Sequence, residues 1–183
     1  MSEDHFERLF RSFESTAFRL ESLPRYKIEG SGEEERFRSY LNGQPVPSNE
    51  DNEWLSSLKK WGNEGKEISR LRILPDRPEP YINFEIEWGY CYNVSHGENI
   101  YLISKSKFVK NFDIDLHDFW LFDNQEAIKM VYDDEGGYED STLIDDIPRE
   151  YFKISKQYRE IGLSLREYLS WKRNNPQKID LPQ

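Results

Sequence analysis

Cysteine is almost absent from the 183 residues: Cys91 stands alone, so no intrachain disulfide can form and a structural zinc site built on thiolates is excluded. The lone thiol reads as a small buried apolar residue, and a reducing cytosol is the compartment that fits. Long apolar runs are missing too. The longest, Ile100 to Ile103 and Phe119 to Phe122, hold four residues each, far short of the roughly 20 that a membrane helix needs. The opening MSEDHFERLF has neither a basic nor an apolar segment of the export type, so a cytoplasmic protein with no membrane attachment is expected. Histidine is nearly as scarce, with His5, His96 and His117 only, and no two have ligand spacing on a helix or strand. No GxSxG, P-loop, GxGxxG or kinase-type set occurs. No cofactor and no metal are expected, and the case for catalysis is weakened without being closed.

What the chain does have is aromatic bulk and charge. Aromatics make up 15% and charged residues 33%, against a hydrophobic set of 36%. Large rings build a core from few residues. The net charge of −10 is concentrated rather than spread. Between residues 113 and 146 there are twelve acids and one base, Lys129, a segment of −11 that leaves the remainder at +1. From Arg149 to Lys178 the balance reverses, with eight bases against Glu150, Glu160 and Glu167.

Periodicity then suggests the elements. Phe6, Leu9, Phe10 and Phe13 share a helical face, with Ser2 as an N-cap. In AFRLE, Phe18 and Leu20 alternate with Arg19 and Glu21, as in a strand, and residues 26–28 resume one. Ser31 and Glu34 form a capping box before Phe37, Tyr40 and Leu41, and Asn42-Gly43 stops that helix. Trp54, Leu55, Leu58 and Trp61 predict another. Residues 67–74 read as a strand with Leu71 and Ile73 on one face and Arg70 and Arg72 on the other. Residues 81–92 favour a helix, although INFEIEW also alternates. Strands are expected at 100–104, 119–122, 127–132 and 141–144, with DDEGGYED as a hairpin loop. Helices hinged near Gly162 follow Pro148, the second capped by Ser164. The sum is a single α+β domain over 1–183: a largely antiparallel sheet packed with several helices, ending in a helical, basic tail at 148–173.

Three constellations could carry chemistry. Asp133-Asp134-Glu135-Gly136-Gly137 fails calcium-loop spacing because its glycine comes too early, and a looser cation site on Asp118, Asp123 and Asp134 is the weaker reading beside solvated hairpin acids. Arg70 and Arg72, with Arg19 near them, could hold a phosphate or carboxylate, or could pair with Glu21 or Glu85 in a half-buried ion network. The pairing is favoured. His96, beside Gly97 and Glu98, is a further candidate. Direct nucleic-acid binding by the basic C-terminal helix is disfavoured by the overall negative charge.

Several stretches together carry a resemblance: FERLFRSFESTAFRLESLPRY, YLNGQPVP, W-x-x-E-G-K-E-I-S-R-L-R-I-L-P from Trp61, YINFEIEW, Gly97-Glu98, and DFWLFD followed by MVYDDEGG. The chain resembles, over about residues 6–137, an uncharacterised family of small bacterial proteins. That family is most numerous in actinobacteria, is known as a domain of unknown function, and is often encoded beside helix-turn-helix regulators. The resemblance implies Arg70, Arg72, Tyr81, Glu85, Gly97, Glu98, Asp118, Trp120, Phe122 and Asp123 as pattern positions, and no activity comes with it.

Two functions are therefore expected. The first is a non-catalytic regulatory module whose acidic edge, with Asp133, Asp134, Glu135, Glu139 and Asp140 outermost, engages a basic protein surface such as that of a DNA-binding regulator. The second is an enzyme or small-ligand binder, for phosphate or nucleotide, with a pocket built from Arg70, Arg72, Tyr81, Glu85, His96, Glu98 and Asp118.

Overall fold

The computed structural model describes residues 5–27, 32–48 and 52–175. In chain order the helices are α1 (His5–Ser12), α2 (Glu33–Leu41), α3 (Glu53–Asn63), α4 (Pro80–Phe84), α5 (Tyr90–Ser95), α6 (Lys105–Asn111), α7 (Arg149–Ile161) and α8 (Leu165–Asn174). The strands are β1 (Thr16–Glu21), β2 (Glu67–Leu74), β3 (Glu98–Ser104), β4 (Phe119–Phe122), β5 (Glu126–Tyr132), β6 (Tyr138–Leu143) and β7 (Leu163–Ser164). They form one seven-stranded sheet in the order β6-β5-β4-β1-β2-β3-β7. Four of its pairings are antiparallel, while β1-β2 and β2-β3 are parallel. The α+β class and the largely antiparallel sheet expected from the sequence are what is found. The parallel centre was not foreseen, and it follows from the helical crossovers that link β1 to β2 and β2 to β3.

Strict alternation sends each strand to two different environments. On one face Phe18, Leu20, Leu71, Ile73, Phe119 and Leu121 pack against Phe108 of α6, Phe112 just after it, and Tyr151, Ile154 and Tyr158 of α7. On the other, Ala17, Ile68, Trp120, Phe122 and Ile128 meet Leu9 and Phe13 on the α1 side and Leu55, Leu58 and Trp61 of α3. Further along that second face, Leu74, Ile100 and Leu102 meet Ile82, Ile86 and Tyr90. All four residues of β4 are buried, as expected of a strand apolar on both faces.

The acids that bracket β4 hold its neighbour in place. Because β4 runs antiparallel to β1, its two ends lie beside the two ends of β1. Asp123 accepts the backbone N–H groups of Glu14, Ser15 and Thr16 at 2.7, 2.8 and 2.8 Å. Against the partial burial of its carboxyl, those donors hold its pKa below the usual range. Asp118 ties down the other end of β1, accepting from Ser22 N–H at 2.8 Å and Tyr26 Oη at 2.5 Å. Asp123 and Asn124 both have positive φ, 50° and 54°, so the three-residue connection Asp123-Asn124-Gln125 reverses the chain tightly, with Gln125 N–H donating to the Phe122 carbonyl.

The alternation of INFEIEW resolves in favour of a helix. Pro80 starts it, and after Phe84 it widens into a π-helical turn, Glu85–Gly89, where Tyr90 N–H reaches back five residues to the Glu85 carbonyl. The helix α6 and the short β7 had no sequence forecast. Ser104 caps α6 by accepting Lys107 N–H, and β7 is too short at two residues to show a period. Ser164 and Glu167 form a complete capping box on α8. Lys27 bridges to Gly137, whereas Ile28, Ser31 and Ser2 lie outside the described residues. Among the described residues no helix is long and apolar enough to cross a membrane.

Candidate functional site

The face of the sheet under α4, the π turn and α5 is not purely apolar. In the parallel register of β1 and β2, Arg19 lies beside Arg70 and Glu21 beside Arg72, and this face carries all four side chains. Glu21 resolves the like-charge neighbours: its Oε1 accepts from Arg70 Nη1 at 2.6 Å and lies 3.0 Å from Arg19 Nη2, while its Oε2 accepts from Tyr90 Oη at 2.6 Å. Arg70 Nε donates to Glu98 Oε1 at 2.7 Å, and Asn93 holds the other oxygen of Glu98 at 2.7 Å. Arg72 Nη1 donates to Tyr26 Oη, which in turn donates to Asp118. Glu21, Arg70, Arg72, Glu98 and Asp118 are all at most 5% exposed. This is the ion network the sequence favoured, with Arg70 on Glu21 and Arg72 on Glu85, but it is fully rather than half buried.

Glu85 differs from its neighbours. Its Oε2 lies 2.9 Å from Arg72 Nη2, yet neither atom makes an aligned hydrogen bond. Burial, helped by the nearby Glu21 carboxylate, outweighs Arg72 and Arg70, and its carboxyl is pushed up to about 7. Glu21, equally buried, is instead held well below the usual carboxylate range because Arg19, Arg70 and Arg72 overcome that burial. Two glutamates in one cluster thus differ in charge behaviour through the number and aim of their arginines. Burial and the nearby carboxylates Asp118 and Glu21 push the Tyr26 phenol well up; burial with Glu21 and Glu85 does the same to Tyr90.

Above the network lies a cavity of about 920 Å³. Arg19, Glu21, Arg70 and Glu85 face it from the sheet and the π turn, and Trp54, Tyr90, Trp120 and Tyr132 are among its aromatic walls. A volume of this size suits a small organic molecule. A π turn beside such a cavity is a frequent mark of function.

The sequence candidates divide into three groups. Arg70 and Glu85 line the cavity, and Arg72, Glu98 and Asp118 lie beneath it in the network. Tyr81 packs 5.5 Å from Phe37 and donates to Glu33 at 2.8 Å, so it braces the wall rather than facing the space. His96 is not brought to the cavity: it ends α5, with Nδ1 2.8 Å from the Tyr92 carbonyl. Arg19 and Glu21 gain weight, and the AFRLE alternation was their signal. Tyr26, Tyr90 and Tyr132 could not have been assigned, since their role depends on where separate elements meet. The acids Asp118 and Asp123, at opposite ends of β4, do not converge on a cation site with Asp134. Among the described residues no group of three or more His, Cys, Asp or Glu is placed to hold a metal ion.

The hairpin acids occupy the sheet edge. Asp133 folds inward on its own loop, accepting Glu135 N–H at 2.8 Å and Gly137 N–H at 2.7 Å. Glu135 pairs with Lys27 at 2.7 Å. Asp134, Glu139 and Asp140 are exposed. The hairpin is double-sided in role, because Tyr132, Gly136 and Tyr138 also line the cavity.

The fold and this site define a small mixed-sheet domain with a buried ion network under a ligand-sized cavity. Residues 4–170 match the family described as domain of unknown function (DUF6879), and the chain belongs to that family. The matched stretch takes in α7 and the first six residues of α8 as well as the sheet. No curated protein matches the chain.

Proposed function

We propose that the protein is a small-ligand-binding module of the bacterial cytosol, with the cavity over β1 and β2 as its binding site. The observation that carries this reading is the convergence of Arg19, Glu21, Arg70 and Glu85 on one cavity of about 920 Å³. Buried ion pairs rarely improve stability over apolar packing, so a costly network under an open space fits a surface preorganised for recognition. Arg19 and Arg70, the arginines that face the cavity from the sheet, are already spent on Glu21 and Glu98, which argues against a phosphate clamp and for a ligand of low net charge.

The test is direct. Protein purified from its native host is denatured and the released small molecules are identified by mass spectrometry, alongside the variant Gly89→Trp. Gly89 lines the cavity, has helical φ, and an added Cβ meets nothing within 4 Å. The wild type should carry a stoichiometric compound that the variant loses while keeping its fold. Equal recovery from both, or from neither, overturns the reading.

A second role has its own support. Because the β5–β6 hairpin forms cavity wall on one side and carries exposed Asp134, Glu139 and Asp140 on the other, it suits docking of a basic protein partner, such as a DNA-binding regulator, in response to ligand. Reversing those three acids to lysine should abolish partner capture without changing ligand content. Capture that is indifferent to the reversal removes this role.

A further inference from the structure

The ion network under the cavity does not balance. Three arginines, Arg19, Arg70 and Arg72, meet four carboxylates, Glu21, Glu98, Asp118 and Glu85. Elsewhere in the cavity lining Lys27 and Arg36 offset Glu33 and Glu53, so the shortage of one cation is not made good there. Lys27 is moreover held by Glu135 at 2.7 Å.

The carboxylate left over is Glu85. Glu21 has Arg19, Arg70 and Tyr90, Glu98 has Arg70 and Asn93, and Asp118 has Ser22 and Tyr26. No described donor makes a hydrogen bond to either oxygen of Glu85. Its Oε2 is sealed beside Arg72, whereas the side chain keeps 12% of its surface and lines the cavity, so Oε1 is the oxygen that opens there. The π turn places it, since Glu85 begins that turn and Gly89, which ends it, lines the same space. The charged and titratable groups around Glu85 are Arg70 and Arg72 from β2, Glu21 from β1, Glu33 from α2, Tyr81 from α4 and Tyr90 from α5.

Resting on the ligand-binding reading above, we infer that the cavity takes an organic amine whose ammonium group pairs with Glu85 Oε1 while its apolar body lies against Trp54 and Tyr92. Such a ligand supplies the fourth cation and up to three N–H donors to an oxygen that has none. A divalent metal ion is the poorer occupant, because it needs several oxygen ligands and no group of three acids or histidines converges among the described residues. An anionic ligand would deepen the imbalance. When no amine is bound, a proton serves in its place, which is why the Glu85 carboxyl is pushed up to about 7.

Three probes of similar shape make the test: 2-phenylethylamine, 2-phenylethanol and 3-phenylpropanoate. Each is titrated calorimetrically into the full chain at pH 8 and pH 6, in two buffers of different ionisation enthalpy. At pH 8 the amine should bind at least tenfold more tightly than the alcohol or the acid. It selects the ionised carboxylate and stays protonated itself, so its affinity should fall about tenfold at pH 6 and its binding there should release close to one proton. Glu85→Gln should abolish the preference for the amine, the pH dependence and the proton release, while the alcohol binds as before. Equal binding of the three probes, amine binding without proton release at pH 6, or no binding by any probe overturns the inference. A compound recovered from the native host and lost in Gly89→Trp keeps the broader reading standing in each of those cases, and one that carries no amine overturns this inference alone.

Discussion

The two faces of the sheet are built from the same strands and are held together differently. Against α6 and α7 the contacts are apolar and close, down to Phe119 stacked on Tyr151 at 3.6 Å between ring centroids. Against α4, the π turn and α5 the same strands bury Arg19, Glu21, Arg70 and Arg72. Burial of apolar area needs no partner and little direction, whereas a buried charge must be compensated atom by atom. The first face is therefore tolerant and local in its failures. The second is an interdependent set in which removing one member strands the others.

That contrast can be broken in order of effect. Glu21→Ala, which leaves three arginines with one fewer shared carboxylate, should cost about 3–5 kcal/mol in urea unfolding and empty the cavity of ligand. A cost under about 1 kcal/mol would mean that the network is solvated. On the opposite face, Leu71→Ala should cost about 2–5 kcal/mol from the cavity it creates, while the folded fraction keeps its ligand. Loss of ligand there would show that the two faces are coupled.

The pH dependence comes next and belongs to the polar face alone. Glu85 rises from 4.5 to about 7 on folding, so between those values the folded state binds more protons than the unfolded one. Its contribution to stability is complete below pH 4.5 and is lost as pH rises through 7, with a slope of at most about 1.4 kcal/mol per pH unit. Chemical unfolding from pH 5 to pH 8 should show that decline. Glu85→Gln should flatten it, whatever it does to absolute stability through Arg72. Glu21, held low in the folded state, acts in the other direction and weakens the fold as pH falls below 4.5.

The smallest effects lie at the hairpin, where the contrast can be sharpened. Asp134→Asn removes only an exposed charge and should stay within about 0.5 kcal/mol of wild type. Asp133→Ala removes the acceptor for Glu135 and Gly137 N–H and should lower the melting temperature more than Asp134→Asn does. Thermal unfolding of the pair separates the acid that shapes the turn from the acid that faces solvent.

Much of this was legible in advance. The two-residue period in AFRLE and EISRLRIL sorted Phe18, Leu20, Leu71 and Ile73 from Arg19, Glu21, Arg70 and Arg72 before any neighbour was known, because side-chain direction in a strand is a local property. The same reasoning found β4 internal and its flanking acids special. It did not find α6, whose seven residues KSKFVKN bury a single position, Phe108, and so show no stripe. Nor did it rank the candidates: His96 looked reactive beside a glycine and an acid, yet helix α5 carries it away from the cavity, while Trp120 looked like core and proved to line the cavity as well.

By itself the sequence determined which side chains share a face, where the chain must turn, and that a cluster of arginines required carboxylates. Tertiary structure decided which carboxylate each arginine obtained, left Glu85 poorly paired and Glu21 oversupplied, and opened a cavity above them. The reason is one of range: strand period and turn chemistry act over a few residues. Charge compensation joins residues as far apart in the chain as Glu21 and Arg70, and only the packing of crossover helices on a parallel sheet brings them within 2.6 Å.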